Sequence, residues 1–242
     1  MAEATWWLEV ECPDVARGSR PGRFVMIGFG LENTDAPFLP RPFSVGWRSP
    51  DGRLGFLVRE FGAGTRRLAS VREGDRLLLL GPLGSAFRPD PERPSLCVAG
   101  GVGLAPFIFL AAEERARGRE LRLLYGERVG SRVFDPALLE TLARGSVEVW
   151  TEDGRAGLRG PVTRGIDLRG DPLLMACGPT PMLRAVAELA READLPLQVS
   201  VEEHMACGIG TCQGCVVAGA DGRWIQSCTE GPVFRASELS WP

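Results

Sequence analysis

The chain contains no lysine: all 28 of its basic residues are arginine. That absence points to genome composition or heat adaptation and to no particular activity. It contains one histidine, His204. A single histidine excludes a Rieske centre, which takes two, and leaves no Ser–His–Asp or paired-carboxylate site to argue for. There is no basic excess. The formal net charge is -3 over 242 residues, which speaks against nucleic-acid binding. The start, MAEATWWLEVEC, lacks the basic region of a signal peptide, so a reducing cytoplasm is expected. Low-complexity segments and internal repeats are also missing. One charge-free run, Leu96 to Ala112, is barely long enough to span a membrane, and Gly100, Gly101, Gly103 and Pro106 interrupt it. No membrane segment is expected.

What is present is ordinary globular material, 44% hydrophobic and 24% charged, in a length that suggests two domains with a small appendage. There are seven cysteines. Cys207, Cys212, Cys215 and Cys228 are spaced C-x4-C-x2-C-x12-C. The first three match the plant-type [2Fe–2S] pattern, which needs a distant fourth ligand. Thiolates are soft ligands suited to iron–sulfur clusters. Gly208, Gly210 and Gly214 lie between them, and glycine lets backbone N–H groups turn towards the sulfurs. A structural zinc site is the competing reading, although zinc favours paired C-x2-C knuckles and only one occurs here. A disulfide is a third. Cys12, Cys97 and Cys177 remain outside the motif.

Residues 1–93 are rich in Gly, Pro and short β-type runs. Strands are expected at Trp6–Val10, Arg23–Phe29, Phe43–Trp47, Leu54–Arg59 and Arg76–Leu80, with one short helix at Ala63–Val71. Many short strands imply an antiparallel barrel or sandwich. Within it, Arg41-Pro42-Phe43-Ser44 presents an arginine fork and a hydroxyl suited to a phosphate diester; a surface arginine beside a turn is the plain reading. Gly62-Ala63-Gly64-Thr65 enters the short helix and can receive phosphate, although glycine before a helix is common. Gly81-Pro82-Leu83-Gly84, followed by Phe87, reads as a loop over a ligand or as a simple turn.

From residue 94 to 201 strands and helices alternate: strands at Ser95–Ala99, Leu121–Tyr125, Val147–Trp150, Pro172–Ala176 and Leu197–Val201, helices from the Gly100 turn to about Arg117, over Pro136–Ala143 and over Pro181–Ala193. This is the pattern of an α/β unit with a parallel sheet, whose ligands bind beyond the carboxyl ends of the strands. Gly100, Gly101 and Gly103 form a turn that can approach a pyrophosphate or simply pack tightly. Cys177-Gly178 ends a later strand. A cysteine there can lie against a nicotinamide or be a small buried hydrophobe.

These motifs, in this order, resemble the ferredoxin–NADP reductase-type flavoproteins. The run E-E-x-M-A-C-G-I-G-x-C-x-G-C with C-x-x-G-P-V-F at Cys228–Phe234 resembles the electron transfer subunits of two-component bacterial dihydroorotate dehydrogenases. The resemblance implies FAD on a barrel domain (1–93), NAD on an α/β domain (94–201) and a [2Fe–2S] cluster on a small C-terminal segment (202–242). By position, Arg41, Pro42, Phe43 and Ser44 would line the pyrophosphate and flavin, Leu57, Val58 and Arg59 would contact FAD, and Gly64 and Thr65 would hold its phosphate. Cys207, Cys212, Cys215 and Cys228 would bind the cluster. The chain departs from the family pattern at His204, often arginine, and at Ser85-Ala86-Phe87, often Asn-Gly-Phe. His204 is then a hydrogen-bond partner near the cluster or a plain surface residue.

A cluster passes single electrons, a nicotinamide takes a hydride, and a flavin does both, so the three groups make chemical sense together. No dihydropyrimidine site is legible. The resemblance therefore implies a separate FMN-containing dihydroorotate dehydrogenase catalytic subunit, in a heterotetramer, as the electron source. A NAD(P)H–ferredoxin-type oxidoreductase subunit, with Arg128 and Arg132 taking a 2′-phosphate, is the alternative redox reading, and a zinc-binding interaction protein is the non-redox one.

Overall fold

A computed structural model describes residues 5–30, 39–135 and 147–241. The first half is a five-stranded antiparallel sheet in the order β1-β4-β3-β2-β5, formed by β1 (Thr5–Glu11), β2 (Phe24–Gly28), β3 (Arg41–Arg48), β4 (Arg53–Arg59) and β5 (Leu78–Leu83). Alternation of side chains turns Leu8, Val25, Ile27, Val45, Leu54, Phe56 and Val58 into one buried cluster. Helix α1 (Pro13–Gly18), which the sequence reading did not anticipate, lies against β4 and β5. Helix α2 (Ala63–Leu68) stops short of the expected Val71.

Strand β5 corrects a second expectation. It runs through Gly81-Pro82 to Leu83, where a turn was expected, because Leu83 still pairs with Phe24 of β2. An edge strand tolerates proline, whose missing N–H faces away from the ladder. The loop that follows grips the C-terminal segment: the Ser85 amide donates to the Gly231 carbonyl at 2.6 Å and the Ser85 hydroxyl to the Val233 carbonyl at 2.9 Å.

The second half is a seven-stranded sheet. Its parallel part comprises β6 (Ser95–Gly100), β7 (Leu121–Glu127), β8 (Val147–Thr151), the two-residue β9 (Leu158–Arg159), β10 (Leu173–Cys177) and β11 (Leu197–Ser200). Buried on both faces, β6 and β10 are continuous apolar runs rather than alternating ones. Helix α3 (Ala105–Ala116) begins with Pro106 in its first turn, a position without need of the missing N–H. Helix α4 (Thr180–Glu192) buries Leu183, Val186 and Ala190 on one stripe. The helix expected over Pro136–Ala143 lies outside the described residues.

The C-terminal segment adds a small hairpin, β12 (Val216–Ala218) with β13 (Trp224–Gln226), and then β14 (Val233–Arg235). Strand β14 pairs antiparallel with β11, so the cysteine segment supplies the last strand of the nucleotide-type sheet. The halves share a core as well. Helix α3 packs on β3, and Leu57 of β4 is buried among Leu104, Phe107, Ile108 and Tyr125.

Candidate functional site

The four motif cysteines come as two pairs. Gly208 and Gly210 adopt φ of +73° and +85°, a region that favours glycine, and a Cβ on Gly208 would come within 2.6 Å of Met26 Cγ. The turn they create brings the Cys207 and Cys212 sulfurs to 3.3 Å, with the Cys212 amide donating to Cys207 Sγ at 3.5 Å. The Thr211 hydroxyl, then the Cys212 and Ile209 amides, hold the Cys207 thiol well below its ordinary value. Cys215 and Cys228 are buried beside Phe24 and Met26 of β2, with Leu83 and Met205 around them. Burial, then the neighbouring Cys215, pushes the Cys228 thiol up, and an amide of Gly210 opposes that. Ser227 fixes the pair by donating through its amide (3.0 Å) and hydroxyl (2.8 Å) to the Cys215 carbonyl.

The sulfurs thus come as two pairs, one at an exposed rim and one in an apolar wall. Among the described residues no three or more His, Cys, Asp or Glu groups gather as they would around a single ion. Two pairs of soft thiol donors with amides beside them are the donor set that a two-iron cluster takes. His204 is exposed.

On the sheet of the first half, Arg41 lies across Gly64. A Cβ on Gly64 would fall 2.4 Å from Arg41 Nε and 2.8 Å from its Cζ, so a larger residue there would push the arginine side chain aside. Arg41 also donates to the Leu39 carbonyl, while Thr65 Oγ1 accepts the Phe61 (2.8 Å) and Gly62 (3.1 Å) amides. Gly62 is open, with nothing near a Cβ built on it, and Phe61 is 84% exposed beside it. An arginine fork, an open glycine loop and an exposed aromatic suit a dinucleotide's phosphates and base. Pro42, Phe43 and Ser44 are partly accessible on the same strand. Leu57 and Val58, expected to contact FAD, are buried, Leu57 between the halves and Val58 in the sheet's core, so their side chains face protein.

The two glycine turns of the second half meet each other. A Cβ on Gly103 would lie 2.3 Å from the Cys177 carbonyl oxygen, and one on Gly178 would lie 2.9 Å from Gly100 Cα. Gly100, Gly103 and Gly178 are therefore needed for packing, while Gly101 (φ +58°) turns its open face to Arg59 and Glu127. The Cys177 thiol is buried, and burial together with the nearby Glu202 carboxylate pushes it up, so at this strand end the side chain behaves as core. Arg128 is exposed; the Arg132 carbonyl accepts from Arg59 at 3.4 Å.

Sequence reasoning missed two carboxylates here. Glu127 ends β7 buried and paired with Arg59 of β4. Its one signal was a charge closing an apolar strand. Glu202 follows β11 close to Arg59 and Cys177. It is exposed, and the desolvation by nearby protein raises its carboxyl more than Arg59 lowers it. With the folded value raised above the unfolded one, this group's stabilising contribution is whole below the ordinary carboxylate range and is lost as pH rises through the raised value. Thermal melts of Glu202→Gln will therefore gain on wild type as pH rises above the ordinary carboxylate range. A difference that stays flat with pH would place this carboxyl in open solvent.

Comparison with known proteins agrees with this architecture. A solved NADH-dependent reduced ferredoxin–NADP oxidoreductase, described for flavin-based electron bifurcation, superposes with a TM-score of 0.85 at 29% identity, over 99% of this chain and 86% of that one. The ferredoxin reductase of carbazole 1,9a-dioxygenase shares the fold, with a TM-score of 0.68 over 82% of this chain and 64% of its own. The class is that of ferredoxin reductase-type oxidoreductases carrying an iron–sulfur segment. Residues 202–240 match the iron–sulfur cluster binding domain of dihydroorotate dehydrogenase B. The dihydroorotate dehydrogenase B (NAD(+)) electron transfer subunit of Desulforamulus reducens is 35% identical over 100% of this chain and 94% of its own length, and that of Geobacillus thermodenitrificans 37% over 99% and 94%. The chain belongs to the family of dihydroorotate dehydrogenase B electron transfer subunits.

Proposed function

We propose that this protein carries electrons from an FMN-containing dihydroorotate dehydrogenase catalytic subunit to NAD+, as the electron transfer half of a cytoplasmic heterotetramer in pyrimidine (UMP) biosynthesis. When bound, a [2Fe–2S] cluster supplies single-electron transfer, and FAD converts pairs of such transfers into a hydride on NAD+. Cys207, Cys212, Cys215 and Cys228 would hold the cluster; Arg41, Ser44, Gly64 and Thr65 would hold FAD; the Gly101 turn and the strand ends around Gly178 would receive NAD.

One observation carries this reading. The buried pair Cys215 and Cys228 packs on β2, where Met26 stands opposite Pro42 and Ile27 opposite Arg41 of β3. The cysteine wall and the arginine shelf are thus on adjacent strands. Phe24, Met26 and Leu83 keep water from the inner side, while Ile209, Thr211, Cys212 and Gln213 at the rim are exposed and free to meet another subunit. Among the described residues no helix is long and apolar enough to cross a membrane.

Coexpression with the catalytic subunit tests the assignment. Both chains should copurify, and removing this one should abolish NAD-linked dihydroorotate oxidation while leaving oxidation by an artificial dye. Full NAD-linked activity from the catalytic subunit alone would sink it.

A further inference from the structure

Two opposite charges stand unpaired at the carboxyl edge of the seven-stranded sheet. Strands β6, β7 and β8 run parallel and adjacent, with Gly100 opposite Gly126 and Glu127 opposite Thr151. Gly101, Arg128 and Glu152 therefore leave the sheet along one rim, and two strand spacings, about 10 Å, separate the first from the last. Arg128 and Glu152 are exposed, and neither side chain forms a hydrogen bond or ion pair among the described residues. The backbone under Glu152 is nonetheless braced. Its amide donates to the Glu127 carbonyl at 3.2 Å. Before it, the buried Thr151 donates through its hydroxyl to the Ala156 carbonyl at 2.7 Å. After it, Asp153 accepts the Gly130 amide through both oxygens, at 3.0 and 3.2 Å, and the Arg155 amide at 3.1 Å. Asp153 thus ties the loop after β8 to the loop after β7. Glu152 is left at a fixed place with both carboxylate oxygens unused.

We propose that Glu152 is a specificity-determining residue: its carboxylate takes the 2′- and 3′-hydroxyls of the adenosine ribose of NAD and turns away the 2′-phosphate of NADP. The inference rests on the placement of NAD at the Gly101 turn given above. From that turn a dinucleotide has one open direction. Towards β10 the space is filled, because Gly103 lies against the Cys177 carbonyl and Gly178 against Gly100. Towards β8 the rim carries the exposed Arg128, Glu152 and Gly154, so the adenosine half reaches the loop that holds Glu152. An ionised carboxylate is an acceptor with two oxygens and so matches a pair of neighbouring hydroxyls. A phosphate offers it no such pair of donors and adds a like charge, which discriminates by repulsion. The doubly wound dinucleotide folds use an acidic residue on the same ribose, soon after the glycine turn; here it comes two strands away. Arg128, one strand nearer the turn, is placed for the pyrophosphate common to both nucleotides and sets no preference between them.

Calorimetric titration of the oxidised, flavin-loaded two-subunit complex with NAD+ and with NADP+ tests this without turnover. Wild type is expected to bind NAD+ at least about 100-fold more tightly than NADP+, because a site that hydrogen-bonds a hydroxyl discriminates strongly. Glu152→Gln should weaken NAD+ by about tenfold, the low end for a hydrogen bond to a charged group, and strengthen NADP+. Glu152→Arg should reverse the preference. Arg128→Ala should weaken both nucleotides alike. Glu192→Gln is the control: it removes an exposed carboxylate at the end of α4, on the opposite edge of the sheet, and should behave as wild type. An unchanged preference in the Glu152 variants overturns the inference. So does an equal change in Glu192→Gln, which would show an effect of overall charge. A gain for NADP+ with NAD+ unaffected overturns the ribose contact, and selective loss of NADP+ in Arg128→Ala would give the 2′-phosphate to that arginine. Gly101→Val separates the inference from the reading beneath it: loss of both nucleotides there upholds the placement of NAD whatever Glu152 does, whereas full NAD+ affinity would refute that placement itself.

Discussion

Replacing Cys215 by serine will strip the cluster and end NAD-linked dihydroorotate oxidation by the two-subunit enzyme, while NADH-driven reduction of a dye through the flavin persists. Cys215 is 1% exposed and sits with Cys228 against Phe24 and Met26. Serine is a harder and weaker ligand, and its hydroxyl would lie in an apolar wall. Loss of groups that merely support a ligand costs about 10–100-fold in metal affinity or activity, so loss of the ligand itself should exceed about 100-fold. Iron and sulfide analysis with visible spectra reads the cluster; stopped-flow dye reduction reads the flavin. Cys212→Ser, at the exposed rim, separates ligand loss from packing loss: it should lose or weaken the cluster with little change in melting temperature. Retention of a normal cluster spectrum in Cys215→Ser would remove this cysteine from the ligand set.

The second large effect belongs to Arg41. Arg41→Ala should lower FAD affinity by about 10- to 150-fold, the equivalent of roughly 1.5–3 kcal/mol for a charged hydrogen-bonding group. Arg41 is only partly buried, and its main neighbour is the bare Cα face of Gly64, so truncation leaves no core cavity. The flavin-free protein should therefore melt within about 0.5 kcal/mol of wild type, as surface changes do. Flavin content after gel filtration, and FAD titration by fluorescence quenching, check the first part. Full flavin occupancy in the variant would show that the phosphates lie elsewhere.

These two predictions differ in how far the chain alone supports them. The motif cysteines are close in sequence, and their spacing carries most of their geometry, so this candidate site was legible from residues 207–228. Arg41 and Gly64 were legible as separate motifs. That one lies across the other follows from the pairing of β3 with β4, which no local pattern encodes. Arg59 and Glu127 stand 68 residues apart and meet through the packing of two different sheets. Helix α1 was missed because its six residues give too short a stretch for a helical period to show. Strand β5 was cut short at Gly81-Pro82 because that dipeptide reads as a turn anywhere but on a sheet edge. The glycines of the nucleotide half were recognised, yet three of them serve the contact between two turns, a distinction that only neighbouring atoms reveal.

Strand β14 has a consequence for how the molecule is made. Residues 233–235 leave the ribosome after β11 and after all four motif cysteines, and until they arrive β11 presents an unpaired edge. Synthesis runs from the N-terminus, and earlier domains fold as they emerge. The nucleotide sheet must therefore wait, unsealed, for a tail that first has to pass through all four cysteines. The gathering of the motif cysteines and the closure of the sheet are thereby linked. A chain whose cysteine segment is trapped in a wrong disulfide would also be a chain with a sticky, open edge.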